Sequence, residues 1–125
     1  MINLVFKYER QVGKTGGSRM KLSLVVPCYN EQDNVRAFYD AAVNAFLGCG
    51  YEYELVMVND GSRDNTYELL QKCAAARPLL VPLDKSNGGH GPTVLFGYHY
   101  AIANGADYIF QTDSDGQTNP DEFEP

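Results

Sequence analysis

The residues best suited to chemistry stand near the end of the 125-residue chain, where Asp113-Ser114-Asp115 is followed by Gly116 and Gln117. Two carboxylates one residue apart on a tight turn, with an amide beside them, form an all-oxygen donor set. Hard divalent cations such as Mg2+ or Mn2+ take such ligands and keep coordination positions open for substrate phosphates. The chemistry suggested is a metal that holds a diphosphate. With sixteen acidic against ten basic side chains and a net charge of −6, the chain offers an anion little else. Taken alone, the triplet suits a solvated turn equally well, since Asp, Ser and Gly are common loop residues. A calcium loop fits less well: Asp113, Asp115 and Glu124 take its first, third and twelfth positions, but Thr118 stands where glycine is required and Pro120 intrudes.

Three other clusters concentrate polar and glycine residues. The first is Pro27-Cys28-Tyr29-Asn30-Glu31, in which Glu31 suits the first turn of a helix. The second is Asn59-Asp60-Gly61-Ser62, where Asp60 can accept hydrogen bonds from a nucleobase imide or a ribose hydroxyl, or can serve as a turn or capping residue. The third is Asn87-Gly88-Gly89-His90-Gly91, a tight turn with or without a ligand. It is no dinucleotide fingerprint, because Val94 occupies the third glycine position. Gly13-Lys14-Thr15 imitates a phosphate loop, yet Tyr8 replaces the glycine that motif needs.

The elements that position these clusters follow from apolar patterning. Leu22–Val26 is a short apolar run of the kind buried on both faces of a parallel sheet, and Pro27 is expected to end it. Asn30 then caps a helix to about Leu47, with Val35, Phe38, Ala42, Val43 and Phe46 inward and Gly48 and Gly50 stopping it. A second strand, Tyr53–Val58, is followed by a helix capped by Asp64 or Ser62 and running to Ala76. A third, Leu79–Leu83, carries Pro82 and belongs at the sheet edge. A helix from about Pro92 to Ala103 precedes the fourth strand, Tyr108–Thr112. Strands alternating with helices mean right-handed βαβ units, so the fold class is α/β: a Rossmann-like parallel sheet with helices on both faces, in spatial order 3-2-1-4. Ligands bind such sheets at the carboxyl ends of the strands, where the first, second and fourth strands deliver their polar clusters.

Composition narrows the function classes. The acidic balance excludes a general nucleic-acid binder. Three cysteines, Cys28, Cys49 and Cys73, with no C-x-x-C spacing, suit reduced thiols and a cytoplasmic location. His90 and His99 make no zinc site with them. The start has no secretory-signal pattern, and no apolar run reaches the roughly 20 residues of a membrane span. Residues 1–20 read as a flexible polar lead-in, and 21–125 as one domain or part of one.

Together, Pro27-Cys28-Tyr29-Asn30-Glu31, Val58-Asn59-Asp60-Gly61-Ser62-Arg63-Asp64-Asn65-Thr66, the glycine turn and Thr112-Asp113-Ser114-Asp115-Gly116-Gln117 with Pro120 form an ordered set. Over residues 21–125 it closely resembles the family 2 glycosyltransferases, in particular the branch similar to dolichyl-phosphate mannose synthases. The resemblance implies the nucleotide-sugar-binding half of a GT-A fold, and a metal-dependent, inverting enzyme moving sugar from a UDP- or GDP-linked donor to an acceptor such as a polyprenyl phosphate or saccharide. It implies that Pro27, Tyr29 and Glu31 line the nucleoside pocket, that Asp60 meets the base, and that Gly89 belongs to the donor site. By the same resemblance Asp113 and Asp115 hold the Mg2+ or Mn2+ and the sugar diphosphate, and Gln117 completes the metal site. Asn59 stands where the family commonly has Asp, and His90 where Lys or Arg is frequent. The catalytic base is expected beyond Pro125, together with the acceptor half and any membrane-associated part. Apolar surface that such a half would cover leaves room for homodimerisation. A non-catalytic nucleotide-binding or regulatory domain stays open, as does a nucleotidyltransferase, although the latter wants a glycine-rich basic loop after its first strand.

Overall fold

The computed structural model describes residues 4–11, 20–46, 48 and 50–112. Eight elements follow in order: β1 (Val5–Glu9), β2 (Lys21–Cys28), α1 (Val35–Phe46), β3 (Glu52–Asp60), α2 (Thr66–Ala76), β4 (Leu80–Lys85), α3 (His90–Ala103) and β5 (Tyr108–Gln111). They build a five-stranded sheet ordered β1-β5-β2-β3-β4. Four strands are parallel, β5 through β4, in the spatial order that the βαβ pattern predicts.

The apolar runs are buried as both-face strands should be. Leu22, Leu24 and Val26 of β2, with Leu55 and Met57 of β3, pack under Val35, Tyr39, Ala42 and Phe46 of α1 and Leu70 of α2. Val25, Val56 and Val58 point the other way, against Val94 and Ala101 of α3 and Ile109 of β5. Helices therefore cover both faces, and period-two alternation within each strand sorts its side chains between two cores. Helix α3 sits especially close to the sheet. A Cβ at Gly97 would lie 2.5 Å from Val25 Cγ1 and 3.1 Å from Val58 Cγ2, so glycine sets the approach distance there.

Several expectations are corrected. Within the supposed flexible lead-in, Val5–Glu9 forms a strand, pairing antiparallel with β5, and Phe6 packs edge-on against Phe110 at 5.4 Å. The sheet is thus mixed at this edge. Its partner lies a hundred residues away in sequence, so no local pattern announces the pairing. Pro27 does not end β2, which continues to Cys28. Pro27 pairs with Val58 of β3 within the parallel ladder, and among the described residues the ladder with β5 runs from Leu22 to Val25. Asn30 is not a helix cap: it takes a left-handed φ of 52°, a conformation Asn accepts more readily than most residues, and α1 begins at Val35. Helix α3 begins at His90, placing Pro92 inside its first turn. Pro82 lies in β4, the edge strand, as predicted. Cys28 and Cys73 are free thiols, and Cys49 lies outside the described residues.

Candidate donor site at the carboxyl edge

Because four strands run parallel, their carboxyl ends open on one edge, and the loops that follow meet there. The loop after β2 and the loop after β3 are locked together by reciprocal hydrogen bonds. Side chains of the second loop accept from backbone amides of the first: Ser62 Oγ from Asn30 N (3.0 Å), Thr66 Oγ1 from Glu31 N (2.8 Å) and Asp64 Oδ2 from Gln32 N (3.4 Å). Side chains of the first answer: Asn30 Oδ1 accepts from Arg63 N (2.8 Å) and Gln32 Oε1 from Asn65 N (3.1 Å). Asp64 also accepts from Thr66 N at 3.0 Å, supplying the cap of α2 that Asn65 does not. Burial pushes the Asp64 carboxyl up, but its hydrogen bonds with Thr66 and Gln32 outweigh that and hold it below the usual aspartate value. The segment Ser62-Arg63-Asp64-Asn65-Thr66 is thus a brace for the Tyr29–Glu31 loop.

On that braced loop Tyr29 is 43% exposed, free to present a ring to a ligand, whereas Pro27 and Glu31 are half-buried. Glu31 Oε1 accepts from Asn34 Nδ2 at 2.8 Å.

Asp60, the last residue of β3, is 5% exposed. Its Oδ1 accepts from Lys85 Nζ (2.9 Å) and Gly88 N (2.9 Å), its Oδ2 from Gly89 N (3.1 Å) and Asn87 Nδ2 (3.4 Å). Burial pushes its carboxyl up, but the hydrogen bonds, that from Lys85 foremost, overcome this and keep it below the usual aspartate value. Beside it, Asn59 Nδ2 donates to Asp84 Oδ1, and Asn59 Oδ1 accepts from Ser62 Oγ. The glycine turn that Asp60 holds leads into α3, whose first residue, His90, brings Nε2 within 3.4 Å of Gln111 Nε2 on β5. Gln111 Oε1 in turn accepts from Tyr98 OH of α3. Thr112, just past β5, donates its N–H to Val25 O at 3.3 Å, so β5 ends at this same edge.

The structure therefore brings Pro27, Tyr29, Glu31, Asp60 and Gly89 to one rim. Asp113, Asp115 and Gln117 lie outside the described residues, and among those described no group of three or more His, Cys, Asp or Glu side chains forms a metal site. Sequence reasoning missed the parts played by Lys85, Asn87 and Gly88. Their signal was the Asn-Gly-Gly run, legible as a turn but silent on which carboxylate it would wrap.

Comparison with known proteins identifies the family and the fold. The family model described as glycosyl transferase family 2 matches residues 23–125. The chain is 37% identical over 99 residues to a prophage bactoprenol glucosyl transferase homolog of Escherichia coli (strain K12), covering 78% of this chain and 31% of that protein. It is 33% identical over 105 residues to the undecaprenyl-phosphate 4-deoxy-4-formamido-L-arabinose transferase of Pseudomonas fluorescens (strain SBW25), covering 82% of this chain and 30% of the other. Among solved structures, the mannosyltransferase PcManGT from Pyrobaculum calidifontis, in complex with GDP-Man and Mn2+, superposes with a TM-score of 0.63 at 22% identity, over 87% of this chain and 31% of that one. At that identity the likeness speaks for the fold, which is the GT-A half that the motifs imply.

Proposed function

Because the chain belongs to glycosyl transferase family 2, we propose that it forms the donor-binding part of an enzyme that moves a sugar from a nucleotide diphosphate sugar to a polyprenyl phosphate. The observation that carries this is the convergence of the Tyr29–Glu31 loop, the Asp60-anchored glycine turn and the carboxyl end of β5 on one sheet edge. In this reading Pro27, Tyr29 and Glu31 line the nucleoside pocket over β2, and the glycine turn lies toward the diphosphate. Asp113, Asp115 and Gln117 would hold a Mg2+ or Mn2+ ion. When bound, such an ion neutralises charge on the leaving diphosphate. The polyprenyl acceptor is taken from the names of the two relatives, of which this chain spans about a third. In this reading the enzyme works at a membrane surface, the cytoplasmic face being our proposal, and no helix among the described residues is long and apolar enough to cross a membrane.

Calorimetric titration of GDP, UDP and their sugars into wild type and Asp115→Ala, with Mn2+ and with chelator, tests the reading. Metal-dependent binding of one nucleotide, lost in the variant, is expected. A folded chain that binds neither nucleotide would sink it.

A further inference from the structure

Gln111, the half-buried last residue of β5, has apolar neighbours in the sheet. Its register partners are Val25 of β2 and Val5 of β1, and Ile109, two residues earlier on the same face, is buried with Val94 and Ala101 of α3. An amide in such a place needs partners at both ends. It has them: Oε1 accepts from Tyr98 OH, and Nε2 stands 3.4 Å from His90 Nε2. One side chain of β5 thus joins the first and third turns of α3. His90 reaches this contact by helical spacing. It lies four residues before Val94, on the stripe of Val94, Gly97 and Ala101 that α3 presses to the sheet, but at the carboxyl-edge end of the helix, where it is exposed.

The chain of contacts selects one form of the imidazole. The Tyr98 hydroxyl gives its single proton to Gln111 Oε1, which turns the amide nitrogen to His90. An amide nitrogen only donates, so His90 Nε2 must accept, and the ring's one proton belongs on Nδ1. An unconstrained imidazole favours the other tautomer. We infer that Tyr98 and Gln111 are positioning residues of the donor site: they fix the ring of His90 and place its proton on Nδ1, so that it offers a diphosphate oxygen an uncharged N–H. The inference rests on the donor-binding reading above. His90 follows directly on the Gly88–Gly89 turn, and Gln111 occupies its Nε2, which leaves Nδ1 as the ring atom to meet a ligand. An uncharged donor holds an anion less strongly than a Lys or Arg in its place, and so depends more on being aimed in advance.

Two measurements on the 125-residue chain test this, on wild type, Tyr98→Phe, Gln111→Leu and His90→Ala, with the fold verified by circular dichroism. Long-range proton–nitrogen correlation spectra at about pH 8, above the ordinary imidazole range, report which ring nitrogen carries the proton. Nδ1 is expected at His90 in wild type, and Nε2 in Tyr98→Phe and Gln111→Leu, where the amide is free to turn or absent. Exposed His99 serves as the internal standard. Affinity for the nucleotide diphosphate that wild type binds in Mn2+ should fall roughly threefold to tenfold in each variant, the scale of one hydrogen bond. Once His90 is replaced by Ala, Tyr98→Phe should cost nothing more, whereas a merely structural Tyr98 would lower affinity again in that background. A wild-type proton on Nε2, or a tautomer that Tyr98→Phe leaves unmoved, would overturn the inference. So would full affinity in His90→Ala, or additive losses in the double variant. If Gln111→Leu does not fold, Tyr98→Phe, which removes a single oxygen atom, carries both tests. A wild-type chain that binds no nucleotide diphosphate overturns the donor reading instead, and the tautomer alone then decides whether Tyr98 and Gln111 set the ring.

Discussion

Asn59 Nδ2 donates to Asp84 Oδ1 at 2.8 Å across the last rungs of β3 and β4, where the two residues are register partners. The amide at position 59 is therefore matched to its neighbour: it turns its nitrogen to a carboxylate and its oxygen to Ser62. The family's more frequent Asp at this place would put two carboxylates face to face here.

Replacing Asn59, 4% exposed, by Asp should accordingly destabilise the chain by about 1–2 kcal/mol at neutral pH, through a lost donor and like-charge repulsion. Adding Asp84→Asn should recover most of the loss, because the amide then sits on the other side of the pair. Urea unfolding of the two singles and the double gives the coupling. Additive losses would show that the two positions do not sense each other.

Acid should weaken the loop assembly in a defined window. The Asp60 and Asp64 carboxyls are both held below the usual aspartate value, despite burial that pushes them up, by hydrogen bonds made only in the folded chain. Their contribution to stability is complete above the unfolded-state value near about 4, and is lost as pH falls through the lowered folded-state values. The melting temperature should fall on acidification below about pH 4, and Asp64→Asn should lower it at pH 7 while flattening that acid slope. An unchanged slope in the variant would remove Asp64 from the account.

The tight seat of α3 yields a third expectation. Gly97→Ala forces a Cβ to within 2.5 Å of Val25 Cγ1, a β-branched side chain with little freedom to turn away. Helix and sheet must separate, at a cost of about 1–3 kcal/mol in urea unfolding. Val25→Ala in the same chain should relieve part of it. Full stability of Gly97→Ala would mean that α3 is not pressed on the sheet as described.

Most of the frame could be read from local pattern, since the parallel strands are continuous apolar runs and the helices carry apolar positions at helical spacing. The order of those four strands followed from handedness. What escaped depends on pairing between distant segments. Val5–Glu9 finds its partner at Tyr108–Gln111, and nothing in its own five residues names it. Glu54 of β3 is buried because Ser23 Oγ donates to it at 2.6 Å and Lys21 Nζ stands 3.3 Å away, both on β2. At the site, Asp64 or Ser62 was expected to cap the helix, and Asp64 does cap α2. That Ser62, Asp64 and Thr66 also grip the backbone of residues 30–32 is a property of two loops at once. Asp60 was legible as a functional acid, but its wrapping by residues 85–89 was not.

The bonds between the two loops alternate in direction, each loop using its side chains to hold the other's main chain. Neither loop is thus a free module. A graft that carried only the Tyr29–Glu31 segment of another family member into this chain would bring side chains cut to a different neighbour and strand amides on both sides. Engineering of donor preference here has to treat residues 29–34 and 61–66 as one transplantable unit.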